Sequence, residues 1–225
     1  GMNVSVGPLV RYGVIRRARG DRILCVTHHL VSDWVSHRIM LEDLETAYRA
    51  AVPEAVLLPP AETELDEWMD AGAQWAADEA GRKPLIAAWH RLASAAPVCL
   101  EREPAGLYGD VTVLGRRLDE FSTGKLRAVL ADRGSGAVRD AILAALVDAE
   151  ARILGASKVA VQLEGHGRDG WGAALDVSRT VGWFTSLYPC VLTPQRGEAA
   201  LAAVARVRET LAALPDSGAT YALIG

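Results

Sequence analysis

Several residue types are scarce in this chain, and each scarcity removes a class of protein. Its 225 residues include only three cysteines, two phenylalanines and five histidines. Cys25, Cys99 and Cys190 are far apart and lack ligand spacing. They are too few for a disulfide framework and read as reduced core residues of a cytoplasmic protein. No apolar run approaches the roughly 18 residues of a membrane span, so no membrane association is expected. Positive charge is not in excess either. The formal net charge is -4 and the pI about 5.8, which leaves no broad basic field for nucleic acid. Internal repeats, low-complexity tracts and metal-ligand spacings are absent, and no metal is expected.

What the chain does have is apolar residues, half of the total, in patterns that alternate between strand and helix period. The stretch LVRYGVIRRARGDRILCVTHH predicts a hairpin turning between Arg16 and Asp21. Its arginines, Arg16, Arg17, Arg19 and Arg22, read as a solvated turn rather than a phosphate grip. Residues 34–50 have helical spacing, with Ser32 or Asp33 as cap. A second helix opens at Thr63 and a third spans about Pro84 to Ser94, their tryptophans reading as core. Residues 96–110 read as linker, VTVLGRRL as a short strand, and STGKLRAVLADRG as a helix capped by Ser122 or Thr123. Residues 137–154 form a helix stopped by Gly155. KVAVQLEGHGR and LYPCVLTP are strands, and EAALAAVARVRETLAALP closes as an amphipathic helix.

Three stretches have the residues for chemistry. In VTHHLVSDW, neighbouring side chains on a strand point to opposite faces, so if one histidine ring lies inward as a satisfied core residue, the other must face the opposite side, where a cleft could lie. Asp33 either orients a ring, pairs with an arginine such as Arg38, or only caps the helix. In EGHGR, a strand end holds Glu164 rigidly while Gly165 and Gly167 allow a sharp turn; taken alone this is a turn with an exposed charge. In SRTVGWFTSLYP, hydroxyls and aromatics line a narrow channel or anchor one layer on another.

Taken together and in this order, HHLVSDWVSHRIMLEDLETAY, LEGHGR and RTVGWFTSLYP resemble the epimerization domains of nonribosomal peptide synthetases, in the condensation-domain superfamily. The resemblance covers nearly the whole chain. The His-His-x-x-x-Asp motif is shared across the superfamily, whereas EGHGR with RTVGWFTS marks the epimerizing branch. The fold it implies is α/β, chloramphenicol-acetyltransferase-like, in a partial two-lobe arrangement. Residues 1–115 would belong to the N-terminal lobe and 116–225 to the C-terminal lobe. Family domains are longer, so the chain is expected to match their middle, truncated at both ends. Trp34 stands where the family usually has glycine, and His37 where it usually has tryptophan. A large residue at 34 is expected to crowd the turn or force another φ.

The resemblance also implies an activity: L-to-D epimerization at Cα of an aminoacyl or peptidyl thioester, held on the phosphopantetheine arm of a carrier domain. His29 and Glu164 would be the two proton carriers. His28, Asp33, His166, Arg168 and Arg179 would be structural supports, and Trp183, Thr185 and Ser186 would line the tunnel. No cofactor is implied beyond the arm. The partners implied are a peptidyl carrier domain and other synthetase modules. Unpaired strand edges add the expectation of a homo-oligomer. Two alternatives stand beside this reading: condensation-type acyl or peptidyl transfer using His29 alone, and a non-catalytic domain that binds a carrier or partner subunit.

Overall fold

The computed structural model describes residues 2–50, 52, 56–95, 106–169 and 175–224. Cys99 and most of the expected linker at 96–110 lie outside them. The predicted hairpin forms from β1 (Val10–Ile15) and β2 (Arg22–Thr27), paired antiparallel from Val10–Thr27 to Ile15–Arg22. Its turn is held by an Arg16–Asp21 ion pair and by the Arg17 amide donating to Asp21. Three helices follow: α1 (Trp34–Arg49), α2 (Leu65–Ala77) and α3 (Glu79–Ala95). The last starts ahead of the expected Pro84, which sits inside it.

Past the linker, α4 (Glu120–Leu130) is capped by Asp119, whose carboxylate accepts from the Ser122 amide at 2.6 Å. The cap therefore lies three residues before the expected Ser122. A short 3-10 turn carries the chain on to Arg133. Helix α5 (Ala137–Leu154) ends where expected, with Gly155 in the left-handed region at φ 66°. Strands β3 (Val159–Gly165) and β4 (Ser186–Leu192) form the second two-stranded sheet, and α6 (Ala200–Ala212) closes the order. The strand expected at 111–118 does not form. Val111, Val113, Leu114 and Leu118 are exposed, and a strand needs a neighbour to take its N–H and C=O groups.

The chain divides into two compact units. The first comprises residues 1–84, 164–188 and 218–225, and the second comprises 85–163 and 189–217. The core of the first contains Ile39, Val177, Phe184 and Tyr188, with Trp68 set edge-on to Phe184 at 4.8 Å. That of the second is built on α5 and α6, around Leu143, Val147, Val204 and Val207. Within it the buried carboxylate of Asp140 accepts from Arg139 at 2.8 Å and from Arg208 of α6 at 2.8 Å. Both units are discontinuous in sequence, because residues 164–188 return to the unit that holds the N-terminal segment. The lobe division at 115/116 remains a separate proposal about family architecture. Among the described residues no helix is long and apolar enough to cross a membrane.

Candidate functional site

Every candidate residue from the three motifs falls in the first unit, so their relations can be built up within it. The histidine loop begins where β2 ends. Register with β1 continues for one residue past the strand: the His28 amide donates to the Leu9 carbonyl at 2.8 Å. The chain then turns around His28 itself. Its ring Nδ1 accepts from the Leu30 amide at 3.1 Å, and its carbonyl accepts from the Val31 amide at 3.0 Å. His29 is left exposed at the apex, its ring 5.8 Å from that of Trp183 and tilted by 57°. The two histidines therefore have different surroundings: one ring is tied into its own loop, and the other stands against an aromatic of the third motif.

Asp33 closes the loop and opens α1. Its Oδ1 accepts from the Ser36 amide at 2.7 Å and from the Ser36 hydroxyl at 2.8 Å, the geometry of an N-cap. It does more than cap. Arg168 Nη2 lies 3.0 and 3.2 Å from its two oxygens, and the Phe184 amide donates to Oδ2 at 3.2 Å. The expected alternative partner, Arg38, pairs instead with Glu42 one turn along α1. Burial by itself pushes the Asp33 carboxyl up. The backbone and hydroxyl hydrogen bonds from Ser36, with the charge of Arg168, outweigh that and hold it below the ordinary aspartate value.

Arg168 joins all three motifs. Its Nη1 donates to the carbonyls of Val177 and Thr180 at 2.6 and 2.7 Å. Its guanidinium lies over the Phe184 ring, 4.0 Å from the centroid. A planar guanidinium suits this position, since it bonds in its plane and stacks on its face. Next to it, Gly167 has φ 63°, and a Cβ there would lie 1.6 Å from the Phe184 carbonyl oxygen. The second glycine of EGHGR is thus required by close backbone approach as well as by conformation.

Ser36 is the residue that motif reading missed. It is fully buried, and its oxygen accepts from the Gly182 amide at 3.0 Å. Its single proton serves Asp33 Oδ1 or the Gly182 carbonyl at 2.9 Å. The only signal for it in the sequence is a hydroxyl three residues after a capping aspartate. Trp34 corrects another expectation. It is 82% exposed, opens α1 and is not among the residues with positive φ, so its ring points into solvent and leaves the turn uncrowded.

The remaining candidates are arranged around this junction. Glu164 is exposed near the end of β3, and the ring of exposed His166 accepts from the Arg168 amide at 3.1 Å. Arg179 reaches Glu42 at 3.3 Å and also pairs with Asp43, fastening its loop to α1. Thr185 is half-buried and Ser186 buried, while Trp183 is half exposed. His29 and Glu164 make no hydrogen bond to each other among the described residues.

The profile described as Condensation domain matches residues 1–224. Bacitracin synthase 3 of Bacillus licheniformis is 32% identical over 229 residues, which covers 99% of this chain and 4% of that protein. Gramicidin S synthase 1 of Brevibacillus brevis is 30% identical over 225 residues, 98% of this chain and 20% of that protein. Among solved structures, the epimerization domain from the third module of tyrocidine synthetase B matches with a TM-score of 0.80 at 28% identity. That match covers 99% of this chain and 51% of the solved one, so the chain spans about half of its length. The first condensation domain of the CDA synthetase shares the fold, with a TM-score of 0.69 at 23% identity over 94% of this chain and 45% of that one.

Proposed function

The chain belongs to the condensation-domain family of nonribosomal peptide synthetases, and from that premise we propose that it serves epimerization rather than condensation. The substrate would be an aminoacyl or peptidyl thioester on the phosphopantetheine arm of a carrier domain. One observation carries the reading. Arg168 of EGHGR holds Asp33 of the histidine motif while stacking on Phe184 of RTVGWFTS, so the two stretches that resemble the epimerizing branch are built into the support of the histidine loop.

The chemistry asks for two proton carriers. A thioester carbonyl acidifies the neighbouring Cα–H, because sulfur donates poorly into the carbonyl and the enolate is less disfavoured. Inversion removes the Cα proton on one face and returns a proton on the other. His29 and Glu164 are the titratable groups we assign to those tasks, each exposed and so able to exchange protons with substrate and water. His28, Asp33, Arg168, His166 and Arg179 hold the loops that present them. Trp183, beside His29, is assigned with Thr185 and Ser186 to the wall along which the arm lies.

A second reading, condensation-type transfer, needs only His29 and draws on the fold shared with condensation domains. One experiment separates the two. With an L-aminoacyl carrier in deuterated water, epimerization places deuterium at Cα and yields D product, whereas transfer forms an amide only when an acceptor is supplied. Carrier binding with neither outcome leaves a non-catalytic docking role. The proposal extends to a cytoplasmic homo-oligomer with other synthetase modules as partners, because β1 and β2 pair only with each other among the described residues. Light scattering that reports a 24.0 kDa particle at high concentration overturns the oligomer.

A further inference from the structure

We propose that His37, acting through Thr27 and Ser32, is a positioning residue for the loop that presents His29. Thr27 is the last residue of β2 and directly precedes His28, while Ser32 lies at the far end of the loop, buried beside Asp33. The Ser32 hydroxyl donates to Thr27 Oγ1 at 2.6 Å and lies 3.3 Å from the His28 carbonyl. It therefore ties the two ends of the loop together. His37, in the first turn of α1, places Nε2 2.5 Å from Thr27 Oγ1 and 3.5 Å from Ser32 Oγ.

Proton bookkeeping gives the ring its role. Ser32 supplies the proton of the Ser32–Thr27 bond, so the Thr27 proton must point elsewhere. We assign that proton to His37 Nε2, which corresponds to the tautomer whose own proton sits on Nδ1. Without an acceptor at that place, the Thr27 hydroxyl loses its partner on α1 and its proton competes for Ser32 Oγ; the Ser32 proton is then left with the longer contact to the His28 carbonyl, and the clasp loosens. The loop it closes contains the amides of Leu30 and Val31 that fold back onto His28 and leave His29 at the apex. The connection to turnover rests on the proton-transfer role proposed above for His29; the connection to loop geometry does not.

The test uses the full chain and two kinds of readout. In His37→Leu and Thr27→Val, the Leu30 and Val31 amides are expected to exchange with solvent at least about tenfold faster, since their bonds sit inside the loosened clasp. Deuterium incorporation at Cα is expected to fall about tenfold in kcat with KM nearly unchanged, as for a misplaced group rather than a lost contact. His37→Gln keeps an acceptor and Thr27→Ser keeps the hydroxyl, and each is expected to restore both readouts. Unchanged amide exchange in His37→Leu, or a His37→Gln variant as impaired as His37→Leu, overturns the inference. Should the variants fail to fold, nitrogen NMR of the unmutated chain decides: a His37 ring protonated on Nε2 near neutral pH overturns the inference, and one protonated on Nδ1 supports it. An unmutated chain that shows no deuterium incorporation removes the proposed function, while the amide and ring readouts still decide the role of His37.

Discussion

One nitrogen of Arg168 stands 3.0 and 3.2 Å from the two oxygens of Asp33, across 135 residues of sequence, with both side chains almost fully buried. A buried ion pair of this kind is costly to break from one side, because the surviving charge stays out of water. Arg168→Met is therefore expected to destabilise the chain by about 3–5 kcal/mol. Arg168→Lys should recover only part of that, since an ammonium cannot also serve the carbonyls of Val177 and Thr180 in one plane. Urea midpoints of the two variants check both statements.

Asp33, held by Ser36 and Arg168, also ties stability to pH. The Asp33 carboxyl is held below its ordinary value in the folded chain, and in the unfolded chain it returns to about 4. The folded state then binds fewer protons, so the Asp33 contribution is fully present above about pH 4 and is lost as pH falls through the depressed folded value. Asp33→Asn removes the titration along with the charge. Chemical denaturation of both forms between pH 7 and pH 3 is expected to show the smaller acid loss in the variant. Equal losses would mean that other carboxylates set the limit.

Gly167 offers a sharper test of how EGHGR meets RTVGWFTS. An added Cβ would run into the Phe184 carbonyl and also demand φ 63° of an alanine. Gly167→Ala is expected to cost about 3 kcal/mol or more, combining overpacking with left-handed backbone strain. Gly155→Ala shares the positive φ, but its Cβ meets nothing within 4 Å. Its loss should stay near about 1 kcal/mol, the cost of conformation alone. Thermal unfolding of the two variants side by side separates collision from conformation.

Much of this fold could be read in the chain because its long elements are locally consistent. Helix α5 starts and stops at the expected residues since Ala and Leu favour the helix and Gly155 ends it. The family motifs were legible as strings of residues. Their junction was not: that Arg168 reaches Asp33 depends on β3 returning residues 164–188 to the first unit, which no local pattern encodes. Residues 111–118 show the reverse error, read as a strand but with no strand to pair with among the described residues. Ser36 escaped notice because a serine inside a helix is ordinary until its hydroxyl is found between two motifs.

Cys190 tests the second unit. It is fully buried in β4, and burial pushes its thiol up to about 11 against a weaker downward pull from Arg139. At pH 8 about one thiol in a thousand would be ionised, so labelling of the folded chain should be slow even before access is considered. In a background with Cys25 and Cys99 replaced by serine, reagent uptake at pH 8 is expected only after denaturant is added. The raised value also has a stability sign. The Cys190 contribution is complete below about pH 8.5, the unfolded value, and is lost as pH rises toward 11. Prompt labelling of the folded chain would mean that β4 opens readily.

The proton carriers are tested by exchange rather than by net inversion, because exchange needs only one competent base. Supplied with an L-aminoacyl carrier in deuterated water, the unmutated chain is expected to place deuterium at Cα. Glu164→Gln preserves shape and removes the charge, and His29→Ala removes the ring that faces Trp183. Each should reduce exchange or inversion by at least about a hundredfold, the usual scale for a general acid or base. The two are expected to differ in which direction of inversion suffers more, since each would serve one face of the enolate. His28→Ala acts differently. The ring it deletes accepts the Leu30 amide, so the first consequence is a lower melting temperature, and activity falls only as far as the loop loosens. Normal exchange in both the His29 and Glu164 variants would remove the catalytic assignment. Loss in His29→Ala alone, with amide formation appearing when an acceptor is supplied, would move the chain to the transfer reading, in which one histidine suffices.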